Sequence, residues 1–122
     1  MTPNEDQTGK EGYAVKVSGD TNNKAVLVTG ITNTPFGIIV DGDTTSGKST
    51  VAVAGSFSGT VAAKLSASPG TVNAGTKLEI TANGTLKASG TSTARNIAVA
   101  LESGSANEMI EAAVIFDPVA NS

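Results

Sequence analysis

Eight consecutive residues, Gly42, Asp43, Thr44, Thr45, Ser46, Gly47, Lys48 and Ser49, fit the pattern G-x-x-x-x-G-K-[ST] at every fixed position. In a nucleotide site of this kind the glycine-rich backbone cradles phosphate oxygens. The lysine reaches the β and γ phosphates, and the hydroxyl holds Mg²⁺. The mechanism also needs a helix starting at the loop, whose N-terminus stabilises the anion. The residues that follow, TVAVAGSFSG (50–59), argue against one. Their valines alternate with period two, Thr50, Val51 and Val53 are β-branched, and Gly55 and Gly59 weaken a helix. The segment AVIFD (113–117) mimics the second strand of a P-loop site. The parallel sheet wrapped by helices that such enzymes require finds no helical periodicity here. Gly42, Gly47, Lys48 and Ser49 are therefore read as a chance match in a polar loop, and a nucleotide-binding protein ranks last of three readings.

Other chemistry is sparser still. Asp41 and Asp43 are spaced like the opening of a calcium loop. Ser46 stands where the sixth-position glycine belongs, and Ala52 where the twelfth-position glutamate belongs. Glu102, Glu108 and Glu111 cluster near the C-terminus and read as a solvated acidic rim. The chain has no histidine and no cysteine, which removes the usual general base, the commonest metal ligand and all thiol chemistry. Serines are plentiful, but none has an evident base beside it. No catalytic residue, metal or cofactor is expected. A net charge of −3 offers no basic patch, so no nucleic-acid partner is expected. No apolar run is long enough to span a membrane. The opening residues, MTPNEDQTGKEG, lack the pattern of a signal peptide, and synthesis in the cytoplasm without export is the expectation.

The elements are β-strands throughout. Tyr13, Val15 and Val17 alternate with Ala14, Lys16 and Ser18. Residues 24–28 (KAVLV), 36–40 (FGIIV), 51–54 and 61–65 continue the series between turn clusters rich in Gly, Asn, Ser and Thr. Leu78 and Ile80 point one way, and Lys77, Glu79 and Thr81 the other. Asn83-Gly84 then predicts a two-residue hairpin turn with both positions at positive φ. Ile97, Val99 and Leu101 share one face of the next strand. Asn96, Ala98, Ala100 and Glu102 share its other face. In the last strand Ile110, Ala112, Val114 and Phe116 line one face, opposite Glu111. Ser105 and Glu108 also fit a capping box, which allows a helical turn at that point. The only aromatics are Tyr13, Phe36, Phe57 and Phe116, so the core is thin and aliphatic. The expected fold is all-β: a small β-barrel or β-sandwich of short antiparallel strands over residues 13–117. A flexible N-terminal arm over residues 1–12 precedes it, and a tail over 118–122 follows.

The order of segments resembles the small capsid-decoration, or cement, proteins of tailed bacteriophages. The likeness is carried by residues 74–89 (AGTKLEITANGTLKAS) and 94–116 (ARNIAVALESGSANEMIEAAVIF). That family's later chain has an "AG-D/T-x-L" strand, a short turn ending in Gly, and a strand close to "IGVALE". An "A-x-G-E" turn and a last apolar strand follow. Ala74, Gly75, Leu78 and Gly84 match the first part. Ile97, Ala98, Val99, Ala100, Leu101 and Glu102 match the second, with Ala98 where Gly is usual. Residues 105–108 stand for the turn, with Asn107 where Gly is usual. The match is good over residues 74–116 and loose before them.

The resemblance implies a virion structural protein with no catalysis, bound to the outer surface of an assembled head and reinforcing it. Its implied partners are the major capsid protein and two further copies of itself, in a homotrimer. Thr2, Pro3, Asn4, Glu5, Asp6 and Gln7 are the expected docking arm, because an extended polar segment can add a strand to an exposed sheet edge. Removing residues 1–12 is then expected to leave the melting temperature almost unchanged. The alternative is a secreted or surface β-domain that binds glycan or protein, which Thr/Ser/Asn richness suits.

Overall fold

The computed structural model describes residues 2–3, 7–17, 24–30, 35–42, 50–53, 60–90 and 94–115. Ten strands appear in chain order: β1 (Thr2–Pro3), β2 (Ala14–Val17), β3 (Lys24–Leu27), β4 (Gly37–Asp41), β5 (Thr50–Val53), β6 (Val61–Lys64), β7 (Lys77–Ile80), β8 (Leu86–Ala88), β9 (Asn96–Ala100) and β10 (Met109–Val114). No helix occurs among the described residues. One sheet has the order β1-β3-β2-β4-β5, the other β6-β10-β9-β7-β8. Among the described residues all strand pairings are antiparallel except that of the two-residue β1, which lies parallel to β3 at the edge, and an isolated bridge between Leu65 and Leu86 is also parallel. Pro3 suits that place, because an edge strand tolerates a missing N–H.

The protein is an all-β sandwich, not a closed barrel. Ala14, Val28, Ile38 and Ala52 from the first sheet meet Leu78, Ile80, Leu86, Ile97 and Ile110 from the second in one core cluster. Val61, Leu65, Val72 and alanines 63, 98, 100 and 112 fill the rest of it, so the thin aliphatic core expected from composition is present. The first sheet is apolar on its other face too. Val15 and Ile39 are fully buried there, with Leu27, Phe36 and Val51 packed on them.

Two local predictions need correction. The alternation in β9 does not sort its residues as expected: Ile97, Ala98 and Ala100 are buried together, whereas Leu101 is 44% exposed. The cause is a bulge. Leu78 pairs with Ala98 but Glu79 pairs with Asn96, which leaves Ile97 as an extra residue and reverses the faces on either side of it. The β7–β8 turn is longer than two residues. Gly84 N–H donates to the Thr81 carbonyl, and Thr81 N–H to that of Thr85. Gly84 alone takes positive φ, at 90°, so Ala82, Asn83 and Gly84 form a three-residue loop. The helical turn that Ser105 and Glu108 allowed does not form: Ser105 N–H donates to Glu108 Oε1 at 2.6 Å, but Glu108 N–H donates to the Ser105 backbone carbonyl, not to its hydroxyl. Asn107 at φ 64° then turns the chain into β10 instead of a helix.

Candidate functional site

The loop that matches a P-loop begins at the end of β4. Strand β5 follows it and pairs antiparallel with β4, with Asp41 opposite Thr50. Residues 42–49 therefore connect a hairpin, and a strand stands where the motif's helix would begin. Gly47, Lys48 and Ser49 lie outside the described residues. Gly42 is described, and its N–H is engaged: it donates to Glu11 Oε2 at 2.9 Å. A carboxylate thus occupies the first backbone donor of the pattern.

The segment ahead of β2 differs from the free arm expected over residues 1–12. Thr2 and Pro3 are in register with Lys24 and Ala25 of β3. Asn4, Glu5 and Asp6 lie outside the described residues. Gln7 is fully buried. Residues 7–10 and 10–13 form two successive reverse turns, closed by Lys10 N–H to the Gln7 carbonyl and Tyr13 N–H to the Lys10 carbonyl. Gly9 and Gly12 occupy the third position of each, at φ 78° and 88°, the conformation that a type II turn demands of that residue. Gly9 and Gly12 are thus turn residues three apart. Beyond them the chain joins the two sheets. Gly12 N–H donates to the Ile39 carbonyl of β4, and the Gly12 carbonyl accepts from Lys64 N–H of β6. Ala14 N–H then donates to the Gly84 carbonyl. Lys10 Nζ lies 5.0 Å from the centroid of the Tyr13 ring.

A second polar centre sits on β7 and was not singled out from sequence. Glu79 was placed on the face opposite Leu78 and Ile80, and it is on that face, yet it is fully buried. Its Oε1 accepts from Gly90 N–H at 2.6 Å. Lys87 Nζ, directly across on β8, lies 3.8 Å from Oε2. Asn96, 3% exposed, is its cross-strand partner on β9. Lys87, Glu79 and Asn96 thus form a polar row across three strands. Period-two alternation assigns a face but does not say whether a loop covers that face.

Between the bend at 66–68 and the β7–β8 turn lies an open cleft of about 500 Å³, lined by Ser66, Ser68, Thr81, Asn83, Thr85 and Lys87 among others. Its threonine hydroxyls bond mainly to Asn83 and to local backbone. Asn83 Oδ1 accepts from Thr81 Oγ1 at 2.7 Å, Thr85 Oγ1 at 2.8 Å and Thr85 N–H at 3.4 Å. The cleft has no aromatic platform of the kind a sugar ring stacks on.

The three glutamates near the C-terminus are exposed, as an acidic rim should be. They still bond locally: Glu102 Oε2 accepts from Glu111 N–H at 2.9 Å, and Thr60 Oγ1 donates to Glu111 Oε1 at 2.9 Å. No cluster of three or more acidic side chains that could hold a metal ion occurs among the described residues.

No family model matches the chain, and no curated protein matches it. No helix among the described residues is long and apolar enough to cross a membrane.

Proposed function

We propose that this chain is a non-catalytic virion structural protein that binds the outer surface of an assembled phage head and stabilises it. The reading rests on the resemblance over residues 74–116, and one observation carries it. At three of the four positions where the likeness calls for glycine the backbone takes positive φ, Gly75 at 93°, Gly84 at 90° and Asn107 at 64°, and Ala98 is the exception. Only glycine adopts this conformation freely, and asparagine is among the best substitutes. The motif positions therefore coincide with the turns that shape one continuous sheet, β7 to β10. Ala98, where the likeness has glycine, is fully buried between β7 and β10.

The major capsid protein is the proposed partner, with the protein acting as a homotrimer on the virion surface. Neither nucleic acid nor membrane is involved. Docking is proposed through residues 2–7. The described part of that segment runs from the edge of β3 to a site beneath Gly42. Each copy contributes modest affinity, and many copies share the load on one shell. The test is co-sedimentation with emptied and filled heads of the parent phage. Saturable pelleting with the heads, together with greater resistance of decorated heads to heat or chelation, is the expected result. Protein that stays in the supernatant at micromolar concentrations contradicts the proposal.

A further inference from the structure

We propose that residues 7–12 form an autoinhibitory latch seated on Gly42, and that opening it frees the N-terminal segment for docking. The functional half of this inference rests on the shell-binding reading above; the conformational half does not. The argument begins with Gly42. Its backbone lies outside the positive-φ region, so its own conformation would accept an L side chain. What excludes one is the N-terminal segment. A Cβ at Gly42 would lie inside van der Waals contact of the Gln7 carbonyl oxygen, 2.8 Å from the Gln7 carbonyl carbon and 3.1 Å from Glu11 Oε2. Two of these three neighbours are backbone atoms and cannot swing aside. The missing side chain at position 42 is the space into which residue 7 fits.

The latch has two parts, one on either side of Glu11. Gly12 is the fixed part: it bonds to both sheets, and a Cβ there would stand 2.7 Å from the Lys64 backbone nitrogen. Ahead of Gly12 the hold includes the buried Gln7, the turn at residues 7–10, the charge-assisted bond from Gly42 N–H to Glu11 Oε2 and the pairing of residues 2–3 with β3. Gly12 is thus the natural pivot. The segment before it can leave as a unit while β2 stays in the sheet. In the latched state Gln7 is fully covered and the Thr2–Pro3 backbone lies against β3, so neither is available to a partner in full. A shell that binds this segment must compete with Gly42 and β3 for it. This favours binding only where a preformed edge offers more than the body does.

The experiment compares wild type with Gly42→Ala, Glu11→Ala and a control, Gly90→Ala. A Cβ at Gly90 meets nothing within 4 Å. Tryptic cleavage after Lys10 and amide exchange at Lys10 report the latch, and the melting temperature reports the body. Gly42→Ala is expected to speed cleavage after Lys10 at least about tenfold, the effect of losing one charge-assisted hydrogen bond or more. Glu11→Ala should act in the same direction, and Gly90→Ala should match wild type. Cleavage and exchange unchanged in both Gly42→Ala and Glu11→Ala overturn the latch. The same proteins are then mixed with heads. Faster association of the two latch variants supports autoinhibition; an unchanged rate on heads that wild type decorates overturns it. If no variant binds heads, the shell-binding reading fails, and the proteolysis result alone decides the latch.

Discussion

Ile97 in β9 and Leu101, just past the end of that strand, lie four residues apart, and simple alternation gives them the same face. The bulge at Ile97 separates their fates. Ile97 is 1% exposed and belongs to the main core cluster, with β7 on one side and β10 on the other. A site held between two paired strands has little room to collapse. Ile97→Ala should therefore cost about 3–4 kcal/mol, in the upper half of the range for such truncations. Leu101 is 44% exposed. Roughly half of its side-chain burial is absent already, and Leu101→Ala should cost about 1 kcal/mol. For 122 residues the unfolding entropy corresponds to about 4 °C of melting temperature per kcal/mol. The expected falls are thus about 12–16 °C for Ile97→Ala and about 4 °C for Leu101→Ala. Scanning calorimetry at fixed protein concentration measures both. Equal falls, or a larger one for Leu101→Ala, would refute the bulge and the assignment of faces built on it.

Four further outcomes follow from the same structure. Deleting residues 1–12 should lower stability by about 2–3 kcal/mol, because the Ile39 carbonyl and Lys64 N–H lose their Gly12 partners; chemical denaturation checks this reversal of the expectation from composition. Gly84→Ala should cost about 1–2 kcal/mol by thermal melt, since alanine is strained at φ 90°. Asn83→Ala should cost about 1 kcal/mol through the loss of the acceptor shared by Thr81 and Thr85. Glu79→Ala should destabilise by about 2–3 kcal/mol, while Glu79→Gln, which keeps an acceptor for Gly90 N–H, should lose less than half as much in urea titrations.

The strands were largely legible because short apolar runs between turn residues leave few other options. Every run singled out within the described residues, from Tyr13 to Val114, lies on or beside a strand. The failures share a physical form: each concerns an effect with no counterpart in local periodicity. A one-residue bulge in β9 leaves no mark on composition, yet it reverses the faces of Ala98 and Leu101. The polar composition of residues 1–12 hid two successive turns, for which the spacing of three between Gly9 and Gly12 was the available signal. The burial of Glu79 depends on a loop distant in sequence, with Gly90 supplying its donor. Of the candidate site residues, Gly42 was noticed for the wrong chemistry. It matters through its contact with Gln7, a contact between residues thirty-five positions apart that no motif describes.

The central claim is that this sandwich coats a phage head, and an averaged electron-microscopy map of parent-phage heads saturated with the protein tests it most directly. The account predicts discrete added density on the outer surface, grouped in threes about the local three-fold positions, with each lobe the size of one β-sandwich. Heads that stay bare at saturating protein, or density confined to the tail or the interior, would contradict it.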